Sequence, residues 1–431
     1  MARFLRTGGG VQCYPLGPKT VINSDLMRIP RSHVVKLWVR GIAARAKVAL
    51  KMARAAWFCR KERACVPVGA PAILVYAHPA SDADGSDAYF ASLLNEMSGL
   101  VRVLHTDGTV DQVRPLMNDR TVSLHGWGSV WFALTRLAFV RWRVDVQTGP
   151  HAWLIRRANA LENGGGGSAM TRWQAHCQMR WLRAAKPRAV AWPWENHAWE
   201  RLLCRAARKQ GVRSIGYQHT VIGPHQINYA IYSNPDGADS LPDRVIADGP
   251  VYAEELKAWG IPSDRIEIGG AFRFQRFGGG AFDPEGPVYV PLSAVRSAAR
   301  LQITASHALA NAGIPVLIKA HPMYPLDIAL VANITVTDTP LQKATALRAV
   351  LYTTGASALE ACLMGVPGFR LLQDDAISVD VLPAKMSMPA IELDDVVEAL
   401  SVVVRPPHWR WDDILSVPDI ERWNDLLNGA N

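Results

Sequence analysis

The stretch AVAWPWENHAWERLLCRAARKQGVRSIGYQHT, residues 189–220, decides the fold. AVAW (189–192) is an apolar run of strand length, residues 197–210 place apolar and charged positions at helical spacing, and SIGYQH (214–219) is a second apolar run. Strand, helix and strand within about 30 residues is the repeating unit of a parallel sheet, because the helix must return the chain to the edge where the next strand begins. Open sheets of this kind bind ligands beyond the carboxyl ends of their strands. Glu195 and His219 both fall at that edge, on strands expected to be neighbours. Glu195, flanked by Trp192, Trp194 and Trp199, is a candidate proton acceptor whose surroundings favour a raised pKa. The competing reading is an acid that only complements a helix dipole. Glu200 reads as a helix surface charge. His219 is either a catalyst or a hydrogen-bonded structural residue, and Gln218, Thr220 and Trp194 are candidate contacts to a hydroxyl-rich ligand.

The same rhythm extends in both directions. Upstream, AILVYA (72–77), a helical stretch at 86–98 and LVRVLH (100–105) start a parallel sheet. Residues 122–185 read as helix, rich in Trp and Arg, with a loop at Gly164–Gly167. Downstream, Pro224 to Pro242 is polar and turn-rich and reads as an interdomain connection. A second α/β series then follows: RVIADG (244–249), RIEIGG (265–270), PVYVPL (287–292), a helix at 295–312, PVLIKAHP (315–322), ITVTD (334–338), a helix at 340–348, AVLYTT (349–354), a helix at 356–364 and a strand near 368–372. The expected fold is α/β, with two Rossmann-like domains facing each other across a cleft. The expected domains are a basic segment 1–66, a first Rossmann-like domain 67–240, a second 241–395 and a helical tail 396–431. The tail carries Trp409, Trp411 and Trp423 and is expected to cap the fold, with a return to the first domain as one option.

The chain has 431 residues, 49% of them hydrophobic and 20% charged, with 33 Gly and 28 Pro, which excludes a disordered, collagenous or coiled-coil chain. Its net charge of +9 is unevenly placed. Residues 1–66 carry 14 basic and 2 acidic side chains and residues 136–213 carry 15 and 4, whereas residues 214–431 carry 15 and 25. A uniformly basic nucleic-acid binder would not look like this, so no nucleic acid is expected as a partner; a protein with one face against an anionic surface would. Residues 1–30 show no period. In residues 31–60, Lys36, Arg40, Lys47, Lys51 and Arg54 fall on one side of a helix, and Val35, Trp38, Ile42, Ala46, Ala49, Ala53 and Trp57 form an apolar stripe. Such a helix either lies on an anionic membrane through that stripe or packs the stripe on the protein. The six cysteines form no CxxC pair, and no apolar run has the length of a membrane span or of a signal-peptide core. A cytoplasmic protein, peripheral on the inner face of the membrane, is expected.

Three motifs of the second half carry chemistry. VLIKAHP brings Lys319 and His321 to a strand end, where a cation and an imidazole can neutralise the phosphate of a nucleotide, with Pro322 and Pro325 turning the chain away. LYTTGASALEACLMGVP sets Thr353, Thr354, Gly355 and Ser357 at the start of a helix, a geometry that binds phosphate through backbone N–H groups and hydroxyls. Glu360 is either the partner of Ser357 in a capping box or an acceptor for ribose hydroxyls. GGAFRF (269–274) places Arg273 near the expected cleft. The chain has no G-x-G-x-x-G after a strand and no Walker A motif, which counts against dinucleotide oxidoreductases and P-loop enzymes.

The run ENHAWERLLCRAARKQGVRSIGYQHT, then NYA (228–230), then LPDRVIADGPVYAEELKAWGIPSDRIEIGGAFRF, resembles bacterial surface carbohydrate biosynthesis proteins, glycosyltransferases of O-antigen and capsule loci. The resemblance covers residues 190–275. KAHP and TTGASALEACLMGVP are similar to the donor-site motifs of GT-B enzymes that use CMP-linked sugars, capsular Kdo transferases and bacterial sialyltransferases; the Ser-Ser of those motifs appears here as Thr353-Thr354 or the separate Ser357. The resemblance implies a GT-B glycosyltransferase that uses a nucleotide sugar and a lipid-linked or growing glycan acceptor, with no cofactor and no metal. It implies that Glu195 and His219 occupy the family's E-N and Q-H positions, with catalytic roles, and that Lys319, His321, Ser357 and Glu360 occupy its donor-domain positions; the residues themselves add Gln218, Thr220 and Trp194 as acceptor contacts and Thr353, Thr354, Gly355 and Arg273 as donor contacts. A nucleotide-sugar epimerase, a polyol-phosphate transferase on the same fold and a noncatalytic, membrane-associated assembly factor stay open as alternatives.

Overall fold

The computed structural model describes residues 31–141, 152–274, 276, 282–321, 328–329, 331–373, 378–407 and 409–429. Residues 1–30 and the prolines at 322 and 325 lie outside the described residues.

The first half is a seven-stranded, all-parallel sheet in the order β3-β2-β1-β4-β5-β6-β7. Its strands are β1 (Ala72–Val75), β2 (Val101–Leu104), β3 (Thr121–Ser123), β4 (Ala189–Pro193), β5 (Arg213–Tyr217), β6 (Arg244–Ala247) and β7 (Ile266–Ile268). Every residue of β1, β2, β3 and β4 is buried, as expected of strands covered on both faces. The second half is a six-stranded parallel sheet, β10-β9-β8-β11-β12-β13. It comprises β8 (Val288–Pro291), β9 (Val316–Lys319), β10 (Ile334–Val336), β11 (Ala349–Tyr352), β12 (Gly368–Leu371) and β13 (Ala390–Ile391). The two-domain Rossmann-like architecture expected from the sequence is the one observed, with both sheets doubly wound.

The helices longer than four residues are α1 (Arg31–Phe58), α2 (Val130–Arg136), α3 (Ala152–Asn163), α4 (Gly167–Ala185), α5 (Ala198–Lys209), α6 (Pro250–Ala258), α7 (Arg296–Asn311), α8 (Ser357–Met364), α9 (Val396–Ser401) and α10 (Ile420–Asn428); single helical turns lie at Leu93–Glu96, all that forms of the helix expected at 86–98, at Val110–Val113 and at Trp411–Ile414. The helix expected at 340–348 is only a turn at Leu341–Lys343, because Ala346 takes a left-handed φ of 55° that no helix continues through.

The boundary expected at residue 240 is displaced. β6 pairs with β5 and β7 with β6, so RVIADG and RIEIGG complete the first sheet instead of opening the second. A strand-helix-strand pattern does not say which sheet a strand joins; only the pairing does. The tail crosses back to the first half. Trp423 is fully buried against Phe90 and Tyr217 and donates its indole N–H to the Gly269 carbonyl at 3.0 Å. Gly270, at φ 88°, lets Val417 and Pro418 approach so closely that a Cβ would meet their backbone at 2.2–2.5 Å.

Helix α1 packs on the first half through the middle of its apolar stripe, and the ends of the stripe face water. Leu37, Arg45, Met52 and Ala56 are buried together with the stripe residues Ala49 and Ala53, Ile42 and Ala46 are half-buried, and the stripe residues Val35, Trp38 and Trp57 are 60%, 40% and 55% exposed. Arg45 sets this rotation. Its guanidinium, 1% exposed, donates to the carbonyls of Ala138 at 3.2 Å and Asn163 at 2.8 Å, which lie at the ends of neighbouring segments. Gly41 permits the approach, since a Cβ there would lie 1.7 Å from the Asn163 oxygen. No helix among the described residues is long and apolar enough to cross a membrane.

Candidate functional site

In each sheet the strand order reverses once, between β1 and β4 and between β8 and β11. At those points the loops leave in opposite directions and open a crevice beyond the carboxyl ends. Tyr76 to Pro79 and Trp194 to Asn196 flank the first crevice; Ser293 and the turn at residues 353–357 flank the second. The two crevices face each other. Gly223 packs against the backbone of Asp380, Val381 and Leu382, and the Asp380 N–H donates to His225 Nδ1 at 2.9 Å.

Glu195 sits on a loop held in an unusual shape. The next residue, Asn196, is 1% exposed and has a left-handed φ of 58°. Its amide donates to the Asn228 carbonyl at 2.7 Å and to Asn234 Oδ1 at 2.8 Å, and its oxygen accepts from Arg201 at 3.2 Å. Arg201 in turn donates to the Ser233 carbonyl and hydroxyl at 2.6 and 2.9 Å. Glu195 itself is fixed at both backbone ends: its N–H donates to Glu200 at 3.0 Å and its carbonyl accepts from the Asn228 amide at 2.9 Å. Glu200 is therefore a fully buried positioning group, not the surface charge expected from its place in the helix. The polar run 224–242, expected as a linker, supplies Asn228, Ser233 and Asn234 to this network. A strained loop held by buried hydrogen bonds is a form in which folds fix the direction of a side chain.

The Glu195 side chain lies between two imidazoles. His197 Nε2 is 2.6 Å from one carboxylate oxygen and His219 Nε2 is 4.0 Å from the other. His219 is 5% exposed, and burial pushes its pKa down to about 4, with Arg273 adding to the shift and Glu195 opposing it. It is neutral near pH 7. Tyr89 lies at the centre of the surrounding cluster, its ring 5.2 Å from that of His219 and 6.0 Å from that of His78, with the Arg273 guanidinium 5.7 Å from its centroid. Arg273 also donates to the His219 carbonyl at 3.3 Å.

His78, His197 and Tyr89 are site residues that the sequence reading missed. A signal for His78 existed: Ala77-His78-Pro79 follows β1 as Ala320-His321-Pro322 follows β9. His78 Nδ1 accepts the Ala80 N–H at 3.0 Å, which places the ring proton on Nε2. Its pKa is lowered by burial and then by Arg273 and His321, so residues of both halves meet here.

On the second side, Thr353 is buried, Thr354, Gly355 and Ser357 are half-buried, and Gly355 has a φ of 123°. Ser357 and Glu360 form no capping box, because the helix is capped at Ala356 without a side chain. Glu360 instead accepts from the Gln342 amide at 2.5 Å; burial raises its pKa, and Gln342 and Arg273 partly oppose that. Lys319 leans away from the crevice, since its ammonium donates at 2.8 Å to the carbonyl of Asp338, beyond the outer strand β10.

Two acceptor contacts are corrected. Trp194 is fully buried against Tyr229, at 5.4 Å between ring centroids, and against Gly216. Gln218 is fully buried too; its oxygen accepts the Asp248 N–H at 2.9 Å and its amide donates to the Thr220 carbonyl. Both shape the crevice from beneath, and Thr220 remains half-exposed. Among the described residues no three His, Cys, Asp or Glu side chains are grouped so as to hold a metal ion.

No family model and no curated protein matches the chain. Solved structures similar to it include a UDP-N-acetylglucosamine 2-epimerase from Rickettsia bellii, with a TM-score of 0.43 and 11% identity over 83% of this chain and 94% of that one. The calicheamicin glycosyltransferase CalG4 is similar with a TM-score of 0.42 and 13% identity, over 76% of this chain and 87% of that one. The apo lipopolysaccharide outer core galactosyltransferase WaaB is similar with a TM-score of 0.39 and 12% identity, over 84% and 99%.

Proposed function

We propose that the protein is a glycosyltransferase of the GT-B type, which moves a sugar from a nucleotide donor held by the second half to a hydroxyl of a lipid-linked or growing surface glycan held by the first. The observation that carries this reading is the carboxylate–imidazole pair Glu195–His197 at the first crevice, with the helix-opening turn 353–357 and His321 at the second. Glu195, oriented by His197, takes the proton of the acceptor hydroxyl as that oxygen bonds to the anomeric carbon. The bond from the anomeric carbon to the donor phosphate breaks, and the nucleotide leaves with the electron pair. Its growing negative charge is met by His321, His78, Arg273 and the N–H groups of the turn. Glu360 accepts from the ribose hydroxyls. Lys319, which leans toward β10, is given no part in this step.

A second reading, a nucleotide-sugar epimerase, is favoured by the additional imidazole of His219 beside Glu195, since proton removal and return on one sugar needs two such groups. The tests separate them. A melting-temperature panel of CMP, UDP, GDP, dTDP and CDP identifies the base, because a ligand that binds only the folded chain stabilises it by mass action. Incubation of the matching nucleotide sugar without an acceptor then distinguishes epimer formation from transfer. If no nucleotide raises the melting temperature, both enzyme readings fail and a noncatalytic assembly role stands instead.

A further inference from the structure

We propose that the outer face of α1, together with the segment 131–139 beside it, is a docking surface for an anionic lipid bilayer. This inference does not rest on the transferase chemistry, and the surface takes in only the ends of the apolar stripe expected from the sequence, whose middle packs inward.

On the side of α1 away from its buried face, Val35, Val39, Leu50 and Trp57 are 60%, 56%, 66% and 55% exposed. Their spacing keeps them in one line along a helix roughly 42 Å long. Trp131 and Phe139, each 75% exposed, extend this surface sideways. The bond from Arg45 to the Ala138 carbonyl and the Arg141 guanidinium, 5.5 Å from the Trp38 ring centroid, fix that segment against residues 38–45 of α1. Scattered apolar side chains are normal on a protein surface, but exposed Trp and Phe side chains grouped on two adjoining segments mark a binding face.

The charge beside the band selects the occupant. Lys36, Arg40, Lys47, Lys51 and Arg54 are all exposed along one edge of it. Residues 31–61, 129–141 and 167–185 contain no Asp or Glu. A protein partner would need carboxylates to match these cations, and a second copy joined by a two-fold axis would set the same cations against each other. A bilayer supplies both needs at once: aromatic and aliphatic side chains enter the headgroup boundary, and the long Lys and Arg stems reach back to lipid phosphates.

The test is flotation of the full chain with vesicles of phosphatidylcholine alone and of phosphatidylcholine mixed with phosphatidylglycerol. The expected result is binding to the mixed vesicles that weakens with salt, and at least about a ten-fold loss of partitioning in Trp131→Glu/Phe139→Glu and in Lys47→Glu/Lys51→Glu, since each cation near an anionic surface contributes substantially. Urea unfolding of both variants should match the parent, because the changed side chains are exposed. Equal binding to both vesicle types, no binding, or unchanged flotation of the variants overturns the proposal. So does a dimer in sedimentation velocity that Trp131→Glu/Phe139→Glu dissolves, which would assign the face to a second copy. Nucleotide-induced melting shifts should be the same in every variant, so failure here is distinguishable from failure of the transferase reading.

Discussion

Asn196 offers the sharpest test of how the site is built. Replacement by Ala removes two donated hydrogen bonds and one accepted bond in a residue that is 1% exposed, and it keeps a Cβ at a φ of 58°. At about 1 kcal/mol for each buried bond, the lost bonds amount to about 3 kcal/mol. Asn tolerates the left-handed region better than Ala does, which adds about 1 kcal/mol. Asn196→Ala should therefore lose about 4 kcal/mol of unfolding free energy in urea. Asn196→Gly loses the same bonds but carries no Cβ, so it should be less destabilised by about 1 kcal/mol despite its greater chain entropy. Both variants should also lower turnover, because Asn228 and Arg201, which they leave underpartnered, hold the Glu195 loop. Gly as destabilising as Ala would refute the left-handed strain, and a loss under about 1 kcal/mol in both would refute the network as a structural element.

Further expectations follow from the site and from the buried titratable groups. Glu195→Gln should lower turnover by about 10²- to 10⁴-fold while leaving the nucleotide melting shift intact; unchanged turnover would remove Glu195 as the base. Measured against His125→Gln, the parent should lose stability as pH falls from about 6.5 to about 4, because burial pushes the pKa of His125 down to about 4 and the unfolded chain takes up its proton first; His219, pushed down to about 4 as well, should behave alike. His125 shows why, since its Nδ1 accepts the Trp173 indole N–H at 3.0 Å and cannot do so once protonated. A difference between parent and variant in urea unfolding that stays flat over that interval would contradict this. Asp248 is fully buried with its pKa well above the ordinary carboxylate range, chiefly from burial. A raised folded pKa lowers stability as pH rises, so Asp248→Asn should melt higher than the parent at pH 8 and converge with it near pH 4; the opposite trend in melting temperature would refute it.

The class of the fold is legible in the sequence. Continuous apolar runs such as AILVYA and AVAW, separated by helical spacing, read as buried parallel strands, and carboxyl-edge placement sets Glu195 and His219 beside the first crevice and the turn 353–357 beside the second. Those are local signals, set by period and run length. Tertiary structure decided what no period encodes. Pairing assigned β6 and β7 to the first sheet, because a strand's partner lies outside its own sequence. Arg45, buried between two segment ends, rotated α1 and so decided which of its apolar residues face water. The influence of His321 on His78 and the burial of Trp194 against Tyr229 join residues tens or hundreds of positions apart. A side chain's role in a crevice depends on what the rest of the fold places opposite it, and that is fixed only when the two sheets come together.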